Sequence, residues 1–114
     1  MNLAEKLKEA KEESFEKWFE RWYEEQDLEK KLINAASQGY TKYKIGIQED
    51  YEDVSRFSDR RKYLNRRLRN PLTIEKISIE LGEGIKVEYI KDKKSTNFLG
   101  MTRYYFSDWI EITW

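Results

Sequence analysis

Between Phe15 and Tyr23 the chain places five aromatic side chains in nine residues, Phe15, Trp18, Phe19, Trp22 and Tyr23, at the spacing of a helix. The arc they cover is wider than a coiled-coil seam, so the helix needs a second layer to bury it, and a sheet is the natural cover. The stripe opens at Leu3, Leu7 and Ala10 and resumes at Leu28, Leu32, Ile33, Ala35 and Ala36. A helix is therefore predicted from an Asn2 cap toward Gln38, with Gly39 as its stop. Gln26-Asp27 is a candidate break, with Asp27 capping a second helix, and continuity through Asp27 stays open at this stage. Any ring that a small sheet leaves uncovered would be an anchor for a partner.

After Gly39 the period changes. Thr41, Tyr43, Ile45 and Ile47 alternate with Lys42 and Lys44, as a half-buried strand does. The acidic run Glu49 to Asp53 reads as the start of a second helix capped by Asp50, with Val54, Phe57, Leu64 and Leu68 as its buried stripe and Asn70-Pro71 as its end. Ile77, Ile79 and Leu81, then Ile85, Val87 and Tyr89, alternate around Gly82-Glu83-Gly84, which predicts a hairpin. Asp92 to Asn97 reads as a polar loop. Met101–Phe106 and Trp109–Trp114 read as two extended runs, with Ser107-Asp108 a turn or a bulge between them. The expectation is one α+β domain over residues 1–114: a long N-terminal helix, a strand, a second helix, then an antiparallel meander of three to four strands, the small sheet being covered by helices.

Composition removes whole classes of chemistry. The 114 residues include neither Cys nor His, which excludes disulfides, thiolate and imidazole metal sites, and every Ser-His-Asp or Cys-His arrangement. With 39% charged residues there is no stretch for a membrane span and no membrane partner is expected, and the N-terminus lacks the apolar core of a secretory signal. A folded, cytoplasmic protein is the expectation. Glu49, Asp50, Glu52 and Asp53 fit helix capping better than cation binding, and Asp108 with Glu111 shows no catalytic spacing. No enzyme, metal or cofactor is predicted.

The 22 basic and 22 acidic residues cancel overall but not locally. Residues 60 to 69 hold six bases and no acid, so Arg56, Arg60, Tyr63 and Arg67 form a helical stripe, with Lys62, Arg66 and Arg69 on the adjacent face. Such a stripe can meet phosphates with guanidinium groups and stack a base on Tyr63. It is equally good protein-interface material, since Arg and Tyr are enriched at hot spots, and bases toward a helix C-terminus also satisfy the macrodipole. At the C-terminus large residues occupy both faces of the strands, so Tyr105 and Trp109 are added to the candidate surface, and a homodimer is an open alternative.

The stretch Leu32-Ile33-Asn34-Ala35-Ala36-Ser37-Gln38-Gly39-Tyr40, feeding a strand with Tyr43, Ile45 and Ile47, resembles a pattern in small proteins of Gram-positive phages and prophages. That resemblance implies an accessory protein that binds a host or defence protein, anti-CRISPR proteins being one such group, and it carries over no catalytic residue. The expected function is a non-catalytic interaction protein that inhibits or modulates a protein or ribonucleoprotein partner. Nucleic-acid binding through the basic helix 56–69 is the alternative.

Overall fold

The computed structural model describes residues 2–47 and 58–114. Helix α1 spans Leu3–Gln26, and the Asn2 side chain accepts from the Glu5 amide at 2.9 Å, so the predicted cap is in place. Only its second half is buried: Phe15, Phe19 and Trp22 enter the core, whereas Leu3 and Leu7 stand in solvent. Asp27 then takes a left-handed conformation (φ 48°, ψ 53°) and α2 runs over Leu28–Ser37, so the N-terminal helix is bent at the expected place. The break is a backbone event, since the Asp27 side chain makes no cap bond. The end of α2 satisfies its carbonyls in a Schellman pattern, with Tyr40 N–H donating to Ala35 O and Gly39 N–H to Ala36 O, which the positive φ of Gly39 permits.

Strand β1 spans Lys42–Ile47 and α3 spans Ser58–Leu68. The predicted helix start at Glu49 to Asp53, and Arg56, lie outside the described residues. Asn70-Pro71 ends α3 as expected and also begins another helix. The Asn70 side chain accepts from Leu72 N–H at 3.0 Å and Pro71 fills the first helical position, where its missing donor costs nothing, so Pro71–Leu81 is α4. This corrects the hairpin expected around Gly82. Ile77 is buried with Thr73 beneath Ile74 and Leu81 at helical spacing, while Ile79, which the alternating pattern had placed with them, is 69% exposed. Gly82 is the C-cap of α4, its amide bonded to Ser78 O.

The true hairpin lies further on. β2 (Lys86–Phe98) and β3 (Met101–Thr113) pair in unbroken register from Lys86↔Thr113 to Phe98↔Met101. Its two-residue turn is Leu99-Gly100, with φ of 51° and 75°, the doubly positive geometry that matches strand twist. Asp92 to Asn97 is therefore strand, held by its ladder against its own low propensity. Ser107-Asp108 is neither turn nor bulge, and the described residues form three strands in the order β1-β3-β2, with no fourth.

Register assigns the faces. Ile110 and Ile112 of β3, both fully buried, pair with Ile45 and Tyr43 of β1 and with Tyr89 and Val87 of β2, and this face meets Phe15, Phe19, Trp22, Leu28, Leu32, Leu68 and Ile77 in one core cluster. Each fully covered Ile contributes about 1.5–3 kcal/mol of transfer free energy. The odd residues of β3, including Tyr105, Trp109 and Glu111, lie on the opposite face.

Candidate functional site

The α3 helix and the Arg69 that follows it carry two kinds of cation. Arg67 and Arg69 are structural. Arg67 turns onto α1, donating to Ser14 O and Oγ at 3.3 and 3.1 Å and to the Tyr63 hydroxyl, with its guanidinium 5.2 Å from the Trp18 ring centroid and 4.4 Å from that of Tyr63. Burial, and then the nearby charge of Arg21, lower its pKa. Arg69 forms a fork with Asp108, Nε to Oδ2 at 2.5 Å and Nη2 to Oδ1 at 3.2 Å, and Tyr89 donates its hydroxyl to the same Oδ2 at 2.7 Å. Burial by itself would raise the Asp108 pKa. The hydrogen bonds from Arg69 and Tyr89 and the charges of Arg69 and Lys91 more than offset it, so the carboxyl sits below its ordinary value.

Arg60, Arg61, Lys62 and Arg66 point to solvent and have no ion pair among the described residues. Leu64 and Leu68 fix the buried side of α3, which leaves Lys62 and Arg66, one turn apart, on the outward side, with the half-exposed Tyr63 ring beside them. The predicted Arg60, Tyr63, Arg67 stripe is thus divided, its Arg67 end folded against α1. Lys62, which the sequence groups with Arg66 and Arg69 beside the stripe, does share the outward face with Arg66, at the i, i+4 spacing measured from Leu64 and Leu68 as the core side, whereas Arg69 turns to Asp108.

Tyr105 and Trp109 are on the sheet face opposite α3, so the structure does not bring them to the basic helix. Trp109 is partly covered, with Lys44 4.6 Å from its ring centroid, and its indole N–H is buried without an acceptor, as is Ser107 Oγ. Tyr105 belongs to a projection that sequence reasoning missed. Among the described residues β1 ends at the pair Ile47↔Asp108, and residues 101–107 of β3 with their β2 partners continue as a two-stranded finger, about 23 Å long at 3.3 Å per residue. Lys93 lies 4.3 Å from the Tyr104 ring centroid and Lys91 4.8 Å from that of Phe106 on one face. At the tip Phe98, Leu99 and Met101 are 74, 86 and 63% exposed.

A cleft of about 540 Å³ opens on the helical side. Glu16, Glu20 and Glu24 of α1, Asp27, Glu29 of α2 and Glu80 of α4 line it, above Phe19, Tyr23 and Leu28. Among the described residues Lys76 is its one cation, and it pairs with Glu16. Burial first, then the charges of Glu29 and Glu80, raise the Tyr23 pKa. Among the described residues no three Asp or Glu side chains come within metal-holding range. Asp108 and Glu111 cannot act as a carboxylate pair, for they sit on opposite faces of β3, Asp108 with Arg69 and Glu111 3.9 Å from Lys42. No helix is long and apolar enough to cross a membrane among the described residues.

No protein-family model matches the chain, and neither the comparison with curated proteins nor that with solved structures finds a match.

Proposed function

We propose that this chain is a non-catalytic interaction protein that binds, and thereby inhibits or modulates, a protein or ribonucleoprotein through the outward face of α3. The observation that carries this reading is the separation of roles within one short basic run: Arg67 and Arg69 are spent on the fold, while Arg60, Lys62 and Arg66 stand in solvent without an ion pair among the described residues and with Tyr63 between them. Forked guanidinium donors beside an aromatic ring suit a carboxylate- or phosphate-bearing surface. Resemblance to phage accessory proteins fits a small binder acting on a host or defence factor in the host cytoplasm. Direct nucleic-acid binding by the same face is the second reading, favoured by the solvent-facing cations Arg60, Lys62 and Arg66 alongside the half-exposed Tyr63.

The test is affinity capture from the native host with the wild-type chain and with the double variant Lys62→Glu/Arg66→Glu, followed by salt titration of whatever is retained. The reading expects a specific partner held by the wild type, lost with the variant, and weakened only modestly by salt. A steep salt dependence, with log affinity falling by about 0.9 per phosphate contacted for each tenfold rise in salt, selects the nucleic-acid reading. Identical retention by both chains refutes both.

A further inference from the structure

The finger of β2 and β3 combines features that are unfavourable in an isolated chain. Leu99, the most exposed large apolar residue among the described residues, also holds a left-handed backbone that a side chain resists and that Asn or Gly adopts at little cost. Phe98 and Met101 face each other across the strand pair beside it, so the tip is an apolar knob. The shaft from residue 91 to residue 106 carries Lys91, Lys93, Lys94 and Arg103 against the single acid Asp92. A receiver for this finger needs an apolar floor and an acidic rim. The cleft beneath α1 offers the partly open Tyr23 ring above the buried core side chains Phe19 and Leu28, and its described lining sets six carboxylates against one lysine.

Finger and cleft lie toward opposite ends of the molecule. The β2–β3 ladder runs from Lys86↔Thr113, the end that follows α4 and its Glu80, to Phe98↔Met101 at the tip, and the longest dimension of the molecule is 60 Å. A chain cannot fold its own finger back to its own cleft without breaking that ladder. Two copies set antiparallel about a two-fold axis place each finger beside the other copy's cleft, which is the isologous, closed arrangement. We propose that the chain forms such a reciprocal dimer, the basic, apolar-tipped finger of each copy seating in the acidic cleft of the other. The α3 face takes no part in this contact, so the dimer is independent of the function proposed above and would present two such faces.

Sedimentation velocity of the full chain, from micromolar to near-millimolar concentration and at low and high salt, provides the test. The expected result is a monomer–dimer equilibrium that weakens with salt. Leu99→Asp should raise the dimer dissociation constant by at least about tenfold, with an unchanged circular dichroism spectrum because that side chain touches no core. Charge reversal supplies the stricter arm. The chain with Glu20→Lys/Glu24→Lys and the chain with Lys93→Glu/Lys94→Glu should each be monomeric alone, and an equimolar mixture of the two should dimerise. A monomer at every wild-type concentration overturns the proposal. So does a dimer indifferent to Leu99→Asp and to both charge reversals, or growth past the dimer into open chains.

Discussion

Removing the Asp108 carboxylate should destabilise this fold, because Arg69 and Tyr89 both converge on it. In Asp108→Ala the Arg69 fork at 2.5 and 3.2 Å and the Tyr89 bond at 2.7 Å are lost together, and the guanidinium loses this carboxylate beside the core. Stripping one partner from a fully buried pair costs about 3–5 kcal/mol and from a surface pair about 0–1 kcal/mol. Asp108 is 9% exposed but the Arg69 side chain 33%, so water recovers part of the Arg solvation and the expected loss is about 2–3 kcal/mol. Linkage gives the sign with pH. The folded carboxyl titrates below its unfolded value of about 3.9, so its charge-dependent stabilisation is complete above the unfolded value and vanishes as pH falls through the folded one. Urea unfolding of wild type, Asp108→Ala and the near-isosteric Asp108→Asn, at pH 7 and at about pH 2.5, is the assay. The wild type should exceed Asp108→Asn by about 1–2 kcal/mol at neutral pH, a gap that shrinks in acid. A gap unchanged between the two pH values, or an Asp108→Ala loss below about 0.5 kcal/mol, would refute the reasoning, since a pair worth so little is a surface pair.

Three further outcomes follow from backbone and core. At a concentration where the chain is monomeric, Leu99→Gly should raise stability by about 0.5–1 kcal/mol, because glycine relieves the left-handed turn and the lost side chain is exposed in the single chain; a decrease there would mean that the tip is covered in the monomer. Asp27→Gly should likewise be neutral to stabilising by up to about 1 kcal/mol in chemical denaturation, since the aspartate makes no cap bond, and a loss above that size would restore a capping role to its carboxylate. Ile77→Ala, at a site with no exposure, should cost about 2–5 kcal/mol, whereas Ile79→Ala should cost less than about 0.5 kcal/mol; equal costs would return residues 77–81 to the alternating strand pattern.

The Ile77 and Ile79 pair also shows how far sequence reasoning reaches in this chain. Apolar residues at 77, 79 and 81 satisfy a strand period, and residues 73, 74, 77 and 81 satisfy a helical one. The arbiter was Asn70-Pro71, which stops one helix and caps the next with the same two residues. The Asn2 cap, the bend at Asp27, the Gly39 stop and the strand from Lys42 are local signals and were legible for that reason. Pairing over long distances was not. Asp92 to Asn97 has loop composition, and only the β3 ladder makes it a strand, so the finger emerges from register rather than from propensity. Among the candidate site residues, the basic run identified α3 as a concentration of charge. It could not distinguish Arg66, which faces solvent, from Arg67 and Arg69, whose partners Ser14 and Asp108 are remote in the chain.

Amide hydrogen exchange of the captured complex against the free chain tests most directly whether α3 is the contact surface. The account predicts slowed exchange centred on residues 60 to 66, absent from the Lys62→Glu/Arg66→Glu variant at matched concentration, with protection of the finger following the dimer equilibrium of the free chain and not partner occupancy. Protection by the partner confined to the finger or to the sheet face carrying Tyr105 and Trp109, with α3 exchanging as in the free protein, would contradict it.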